Sequence, residues 1–433
     1  MAHHRAVWKA VLCVLALLAG REAHAYAVLA HEAIIDTAWD TDIRPLLLGR
    51  FPGASAEDLR HAHAYAYGGC IIQDMGYYPF GSKLFTDLAH YVRSGDFIVN
   101  LIRESQDINE YAFALGALEH YAADTIGHKV AVNPAVAIEY PKLETRYGRT
   151  VTYADNPTAH LKVEFGFDVL QVAQGHYAAT AYHDFIGFGV AKPLLERAFR
   201  DTYSLELTDI FSDLDRALSS YRFAVGRVIP EMTKVAWRLK KNELRKADSG
   251  LTRRKFVYAL SRRSYRKEWD GKYDTPGTGA VFLAWVIRIL PKVGPLRALD
   301  FKAPTAQTER LFAESFERTL AEYRTLLAGA GWQSLALENR DFDTGGPVRP
   351  GEYRLADQAY SKLAIRLARK DPASVDRKVV DNVLAFYRDL NLPYATKDNP
   401  ADWSETIAAI SKLEAIAPVA PVPASAERSS AEK

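Results

Sequence analysis

The chain reads as all-α: a multi-helix bundle followed by a helical C-terminal extension. Three observations predict this. Apolar residues recur at helical spacing within runs of strong helix formers, most clearly from Glu110 to His120 (EYAFALGALEH). No stretch carries the apolar–polar alternation of a half-buried strand. Polar residues pair at i, i+4 within such runs, as His120 with Asp124 and His160 with Glu164, and a helix puts those positions on one face.

Composition narrows the class. At 433 residues, 48% hydrophobic and 25% charged, the chain has the make-up of a soluble globular protein with ample core. A net charge of +2 gives no global basic excess, so no stable nucleic-acid partner is expected. No phosphate-binding glycine loop, dinucleotide fingerprint, nucleophile elbow or internal repeat is present.

Residues 1–25 read as a secretory signal. His3, His4, Arg5 and Lys9 form the polar, basic start, residues 11–19 a short apolar run, and Ala23-His24-Ala25 a small-x-small cleavage site. Cleavage after Ala25 makes Tyr26 the mature N-terminus. Ala25-Tyr26-Ala27 offers a second cut two residues later. The protein is therefore expected to be secreted or periplasmic. Cys13 leaves with the signal, and Cys70 alone forms no intramolecular disulfide.

Helices are expected over residues 30–40 and 54–67. A tightly turned, Gly- and aromatic-rich loop follows over 68–81, with Asp74 a lone acid among rings. Further helices are expected over 87–93 and 96–104, broken at Ser94-Gly95, and then over 109–128. Residues 131–156 look irregular, since prolines and Gly148 punctuate them. A helix over 158–173 carries His160 and Glu164. Residues 205–247 read as one or two long helices with a kink at Pro230. A basic tract from Lys240 to Lys267 follows, either a solvated face or a contact for anionic membrane headgroups. Residues 281–290 form a core helix, too short to span a bilayer, and 291–304 a linker. Helices resume over 309–328, 353–369 and 374–390. A tail rich in Ala, Pro and Ser, residues 415–433, is expected to be disordered. The domain layout is then a signal (1–25), a helical domain (26–300), a helical C-terminal region without assigned role (301–414) and the tail.

Chemistry concentrates in the first half, and no histidine follows His183. A lone histidine on an apolar helical face is ordinarily a core residue. Two His-x-x-x-acid pairs, with His128 one further turn beyond Asp124, are less easily accidental. Imidazole and carboxylate together suit Zn²⁺, and a bundle core can aim several at one point. His61 and His63, two apart, face different ways, and at least one is expected to be structural.

The ordered set His31, Asp74, His90, His120, Asp124, His128, His160 and Glu164 resembles the ligand set of the zinc-dependent phospholipase C family, a sister group of the single-strand-specific zinc nucleases. The resemblance covers residues 26–168 and implies a helical protein with a trinuclear zinc site between helices. It implies one zinc held by Asp74, His90, His120 and Asp124, and a second by His128, His160 and Glu164. Asp124 would bridge to a third, held by His31 and the amino group and carbonyl of Tyr26, where the family usually has Trp. Asp124 to His128 is two residues shorter than the usual interval, which suits continuous helix rather than a loop.

The activity implied is phosphodiester hydrolysis of phospholipase C type. A zinc-activated water would attack a phospholipid phosphodiester, and Asp74 would orient or deprotonate it. Glu164 matches the phospholipases, whereas the nucleases typically carry Asp there. Implied partners are a phospholipid or other phosphodiester substrate and peripheral contact with an anionic membrane surface, the protein itself being a monomer. Two other readings stay open: a nuclease or 3′-nucleotidase on the same scaffold, and a non-catalytic helical protein that binds zinc.

Overall fold

Helix packing against helix accounts for the architecture, and no β-strand occurs among the described residues. The computed structural model describes residues 28–174, 188–225, 242, 245, 301–330 and 335–416. The predicted signal, Tyr26, His176, His183, the basic tract apart from Arg245, residues 281–290 and the tail beyond 416 lie outside the described residues.

The helices are α1 (Val28–Ala38), α2 (Arg44–Arg50), α3 (Ala56–Gly69), α4 (Lys83–Tyr91), α5 (Ser94–Glu104), α6 (Ile108–Gly127), α7 (Asn133–Glu139), α8 (Pro141–Tyr147), α9 (Pro157–Gln174), α10 (Lys192–Tyr203) and α11 (Leu214–Phe223). After a gap come α12 (Ala306–Ala330), α13 (Arg354–Leu367), α14 (Arg377–Phe386) and α15 (Pro400–Ile416). The bundle agrees with the all-α expectation.

Helix α6 is the axis of the bundle. Asp107 starts it, its carboxylate accepting from the Asn109 and Glu110 amides at 2.9 Å each, which satisfies two of the first-turn donors. Nearly every residue of α6 is buried. Helix α3 crosses it in backbone contact: a Cβ on Gly116 would sit 2.1 Å from the Ala66 carbonyl oxygen. On the other side α12 packs along it, and the Tyr323 hydroxyl donates to the Leu115 carbonyl at 2.9 Å. Helix α1 is tied to α9 by Asp168, whose carboxylate accepts from the Leu29 and Ala30 amides at 2.9 and 3.1 Å.

Five expectations need correction. Residues 131–147 are largely helical, because Pro134 and Pro141 stand in the first turns of α7 and α8, where a missing N–H costs nothing. The break expected at Ser94-Gly95 falls one residue earlier: Arg93 takes φ 50° and Ser94 already opens α5. The helix expected from Leu205 starts only at Leu214, where the Asp213 carboxylate caps the Arg216 amide at 2.9 Å. The helix expected over 374–390 runs from Arg377 to Phe386, capped by Asp376. The loop expected over 68–81 is partly a tight helical turn, Ile72–Tyr77, which carries Asp74.

Residues 301–416 are not a separate layer. Helix α13 packs against α4, and one continuous apolar core joins Leu115 on α6 to Leu363 on α13 and Leu413 on α15. No described helix is long and apolar enough to cross a membrane.

Candidate metal centre

Helix α6 carries the centre because of its pitch. Each step of four residues advances about 6 Å and turns the side chain about 40° past a full turn. His120 and Asp124 therefore share a face. His128 lies about 12 Å along from His120 and turned about 80° from it, so it reaches different neighbours. The helix is unbroken here: beyond Gly127 it widens into a π turn, His128–Val132, and passes directly into α7. The short Asp124–His128 interval is thus helical, as its length suggests.

Around α6 the side chains gather into three clusters of ligand atoms, each within 4.8 Å of one another: His31, His120 and Asp124; Asp74, His90 and His120; and His128, His160 and Glu164. Asp124 sits between the first two. Its Oδ2 lies 3.1 Å from His120 Nε2 and 3.5 Å from His90 Nε2, and its Oδ1 lies 3.5 Å from His31 Nε2. His90 Nε2 is 3.3 Å from Asp74 Oδ1. In the third cluster, Glu164 Oε1 is 2.9 Å from His160 Nε2 and 3.5 Å from His128 Nε2. All eight side chains are buried. The structure thus brings together every predicted residue except Tyr26, which lies outside the described residues. His63 is elsewhere, stacked on Trp39 at 3.8 Å with Nε2 3.0 Å from Asp36.

The histidine rings are held from behind. His120 Nδ1 donates to the Cys70 carbonyl at 2.9 Å and His90 Nδ1 to the Thr86 carbonyl at 3.0 Å. His31 Nδ1 lies 3.0 Å from Glu119 Oε2, and His128 Nδ1 donates to the Phe342 carbonyl at 3.0 Å. In each ring Nε2 is the nitrogen turned to the cluster. Such outer acceptors fix the tautomer and aim of a metal-binding imidazole. Sequence reading missed Glu119, Phe342 and Asp343. The one available signal was Glu119's place directly before His120.

Several buried polar atoms of the clusters make no hydrogen bond: both oxygens of Asp124 and of Glu164, Asp74 Oδ1, and Nε2 of His128 and His160. Burying such atoms without compensation is costly, and a divalent cation is the partner this donor set suits. Burial and mutual charge shift the titration of these groups in both directions. Burial, reinforced by His120, pushes His31 down to about 3, so it is neutral at pH 7. Burial and the His128 ring hold His160 well below its usual value. At Asp124 burial opposes charge, but His120 and His90 outweigh it and keep the carboxyl well below the usual carboxylate range. Asp74 is likewise lowered, His120 and His90 overcoming burial. Glu164 is pushed well up, first by burial and then by Asp124 and Asp74.

Residues 30–213 match the family model described as zinc dependent phospholipase C. Over that segment the chain is similar to the zinc-dependent phospholipase C family. The match contains His31 to Glu164 and ends well short of Phe342 and Asp343. No curated protein and no solved structure matches the chain. The matched segment runs from α1 to α10; α12 and α13 pack onto it from outside the matched residues, and α14 and α15 pack against α13.

Proposed function

We propose that the clusters hold up to three zinc ions and that the protein is a secreted phosphodiester hydrolase of phospholipase C type. It would cleave glycerophospholipid to diacylglycerol and a phosphorylated headgroup. One observation carries the reading. Buried carboxylates and inward-facing imidazole nitrogens without hydrogen bonds converge on α6, in a segment matching a zinc-dependent family.

Asp74, His90, His120 and Asp124 would hold one ion, and His128, His160 and Glu164 another. His31 and Asp124 would hold the third with the amino group and carbonyl of Tyr26, which lies two residues ahead of α1. Zinc, when bound, lowers the pKa of water and polarises phosphoryl oxygens. Asp74, kept ionised by His120 and His90, is the residue to orient the attacking water and accept its proton. Glu119 and the Cys70 and Thr86 carbonyls keep the histidine rings aimed. Glu164, where the nucleases typically carry Asp, favours a phospholipid over a nucleic-acid substrate. The basic tract of residues 240–267 is proposed to meet anionic headgroups.

The test is Asp74→Asn on secreted, zinc-loaded protein, assayed against phospholipids, single-stranded nucleic acid and 3′-nucleotides. The proposal expects phospholipid hydrolysis in the wild type, reduced about 100-fold or more in the variant, with zinc content largely kept. Cleavage of nucleotides alone would move the protein to the nuclease chemistry. No hydrolysis of any of the three by zinc-loaded wild type would overturn the enzymatic reading.

A further inference from the structure

We infer that the loop of residues 340–346, outside the family-matched segment, is a working part of the metal centre, with Asp343 the positioning residue for His128. The inference rests on the reading of His128 as a zinc ligand.

The loop reaches the centre at several points. The Phe342 carbonyl accepts from His128 Nδ1 at 3.0 Å, and Asp343 Oδ1 lies 3.4 Å from the same nitrogen. The Phe342 amide donates to the His90 carbonyl at 3.3 Å, and its ring centroid is 5.0 Å from that of His90. The Phe342 carbonyl holds the proton on Nδ1, with the Asp343 carboxylate close beside it, and leaves the Nε2 lone pair facing His160 and Glu164. A carboxylate behind the ring also raises its basicity as a ligand, which a carbonyl alone does less.

Asp343 is itself held on three sides. Its Oδ2 accepts from the Tyr91 hydroxyl at 2.9 Å and from the Tyr353 hydroxyl. Its amide donates to Asp341 Oδ1 at 2.9 Å. Its carbonyl accepts from Asn133 Nδ2 at 2.6 Å, one turn beyond His128. Asp343 is buried. The loop lies flat on α6 because Gly345 adopts φ +67° and leaves no room for a side chain: a Cβ there would sit 2.0 Å from the Thr125 carbonyl oxygen. A carboxylate so constrained, so far along the chain from its histidine, is built into the site.

The experiment compares wild type, Asp343→Asn and Tyr353→Phe, all full-length, by chelator competition for Zn²⁺ and by the visible spectrum after Co²⁺ loading. Asp343→Asn is expected to weaken one zinc about 10–100-fold. It should leave the other zinc ions unchanged, alter the Co²⁺ bands of one site, and keep the helical circular dichroism of wild type. Tyr353→Phe removes one of the two hydroxyl donors to Asp343 Oδ2 without touching His128, and is expected to weaken the same zinc several-fold. If Asp343→Asn does not fold, Tyr353→Phe decides alone. Unchanged zinc affinity and Co²⁺ spectrum in the folded variants would overturn the inference. Wild type that binds no zinc would instead overturn the reading beneath it.

Discussion

Glu119 and His120 are adjacent, yet about 100° apart around α6, so one supports the centre and the other enters it. Glu119 is fully buried, and burial with Asp124 nearby pushes its carboxyl well up. Its partner there is His31 Nδ1. Glu119→Gln keeps the volume but weakens the acceptor, and zinc affinity measured by chelator competition should fall about tenfold or more. Asp341 gives a pH signature. Burial, and then Asp343, raise it to about 7 from an ordinary 3.8. The folded state therefore binds the proton more tightly than the unfolded one between those values. Its contribution to stability is full below pH 3.8 and lost as pH rises through about 7. Asp341→Asn should flatten that part of the curve in denaturant titrations at pH 5 and pH 8. The His/carboxylate set was legible because i, i+4 spacing is a local property of a helix. Glu119 and Phe342 were not, since their histidine partners lie 88 and 214 residues away. Nothing local to an Arg-Asp-Phe-Asp stretch says that it will meet His128.

Helices were legible where apolar residues recur at helical spacing among strong helix formers, as in α6. They were less so where proline and glycine carry two meanings. Pro134 and Pro141 were read as interruptions, whereas in the first turn of a helix they are compatible with it. Gly116 looks like a weak point inside α6, but it permits the backbone contact with α3. Gly116→Ala should cost about 1–3 kcal/mol by overpacking, although Ala is the better helix former. Asp107→Ala should cost about 1 kcal/mol through loss of the cap. Both are read by chemical denaturation of the zinc-loaded protein. A stabilised Gly116→Ala would contradict the close helix crossing.

At the scale of the molecule, acids and imidazoles are packed into the middle of an apolar bundle, and a cation bound there would offset the cost. Removing metal should therefore lower Tm and restoring zinc should raise it, the added stability being about 4 kcal/mol per site when free zinc is about a thousand times its Kd. The C-terminal helices had no role legible in sequence, because their contribution is tertiary: they bring Phe342 and Asp343 to α6. The most direct measurement is the zinc content of the mature, N-terminally sequenced protein by elemental analysis. The prediction is two to three zinc ions per chain, up to one per cluster, with Tyr26 first where the third is present. A folded chain holding one zinc or none would contradict the metal centre and with it the hydrolase.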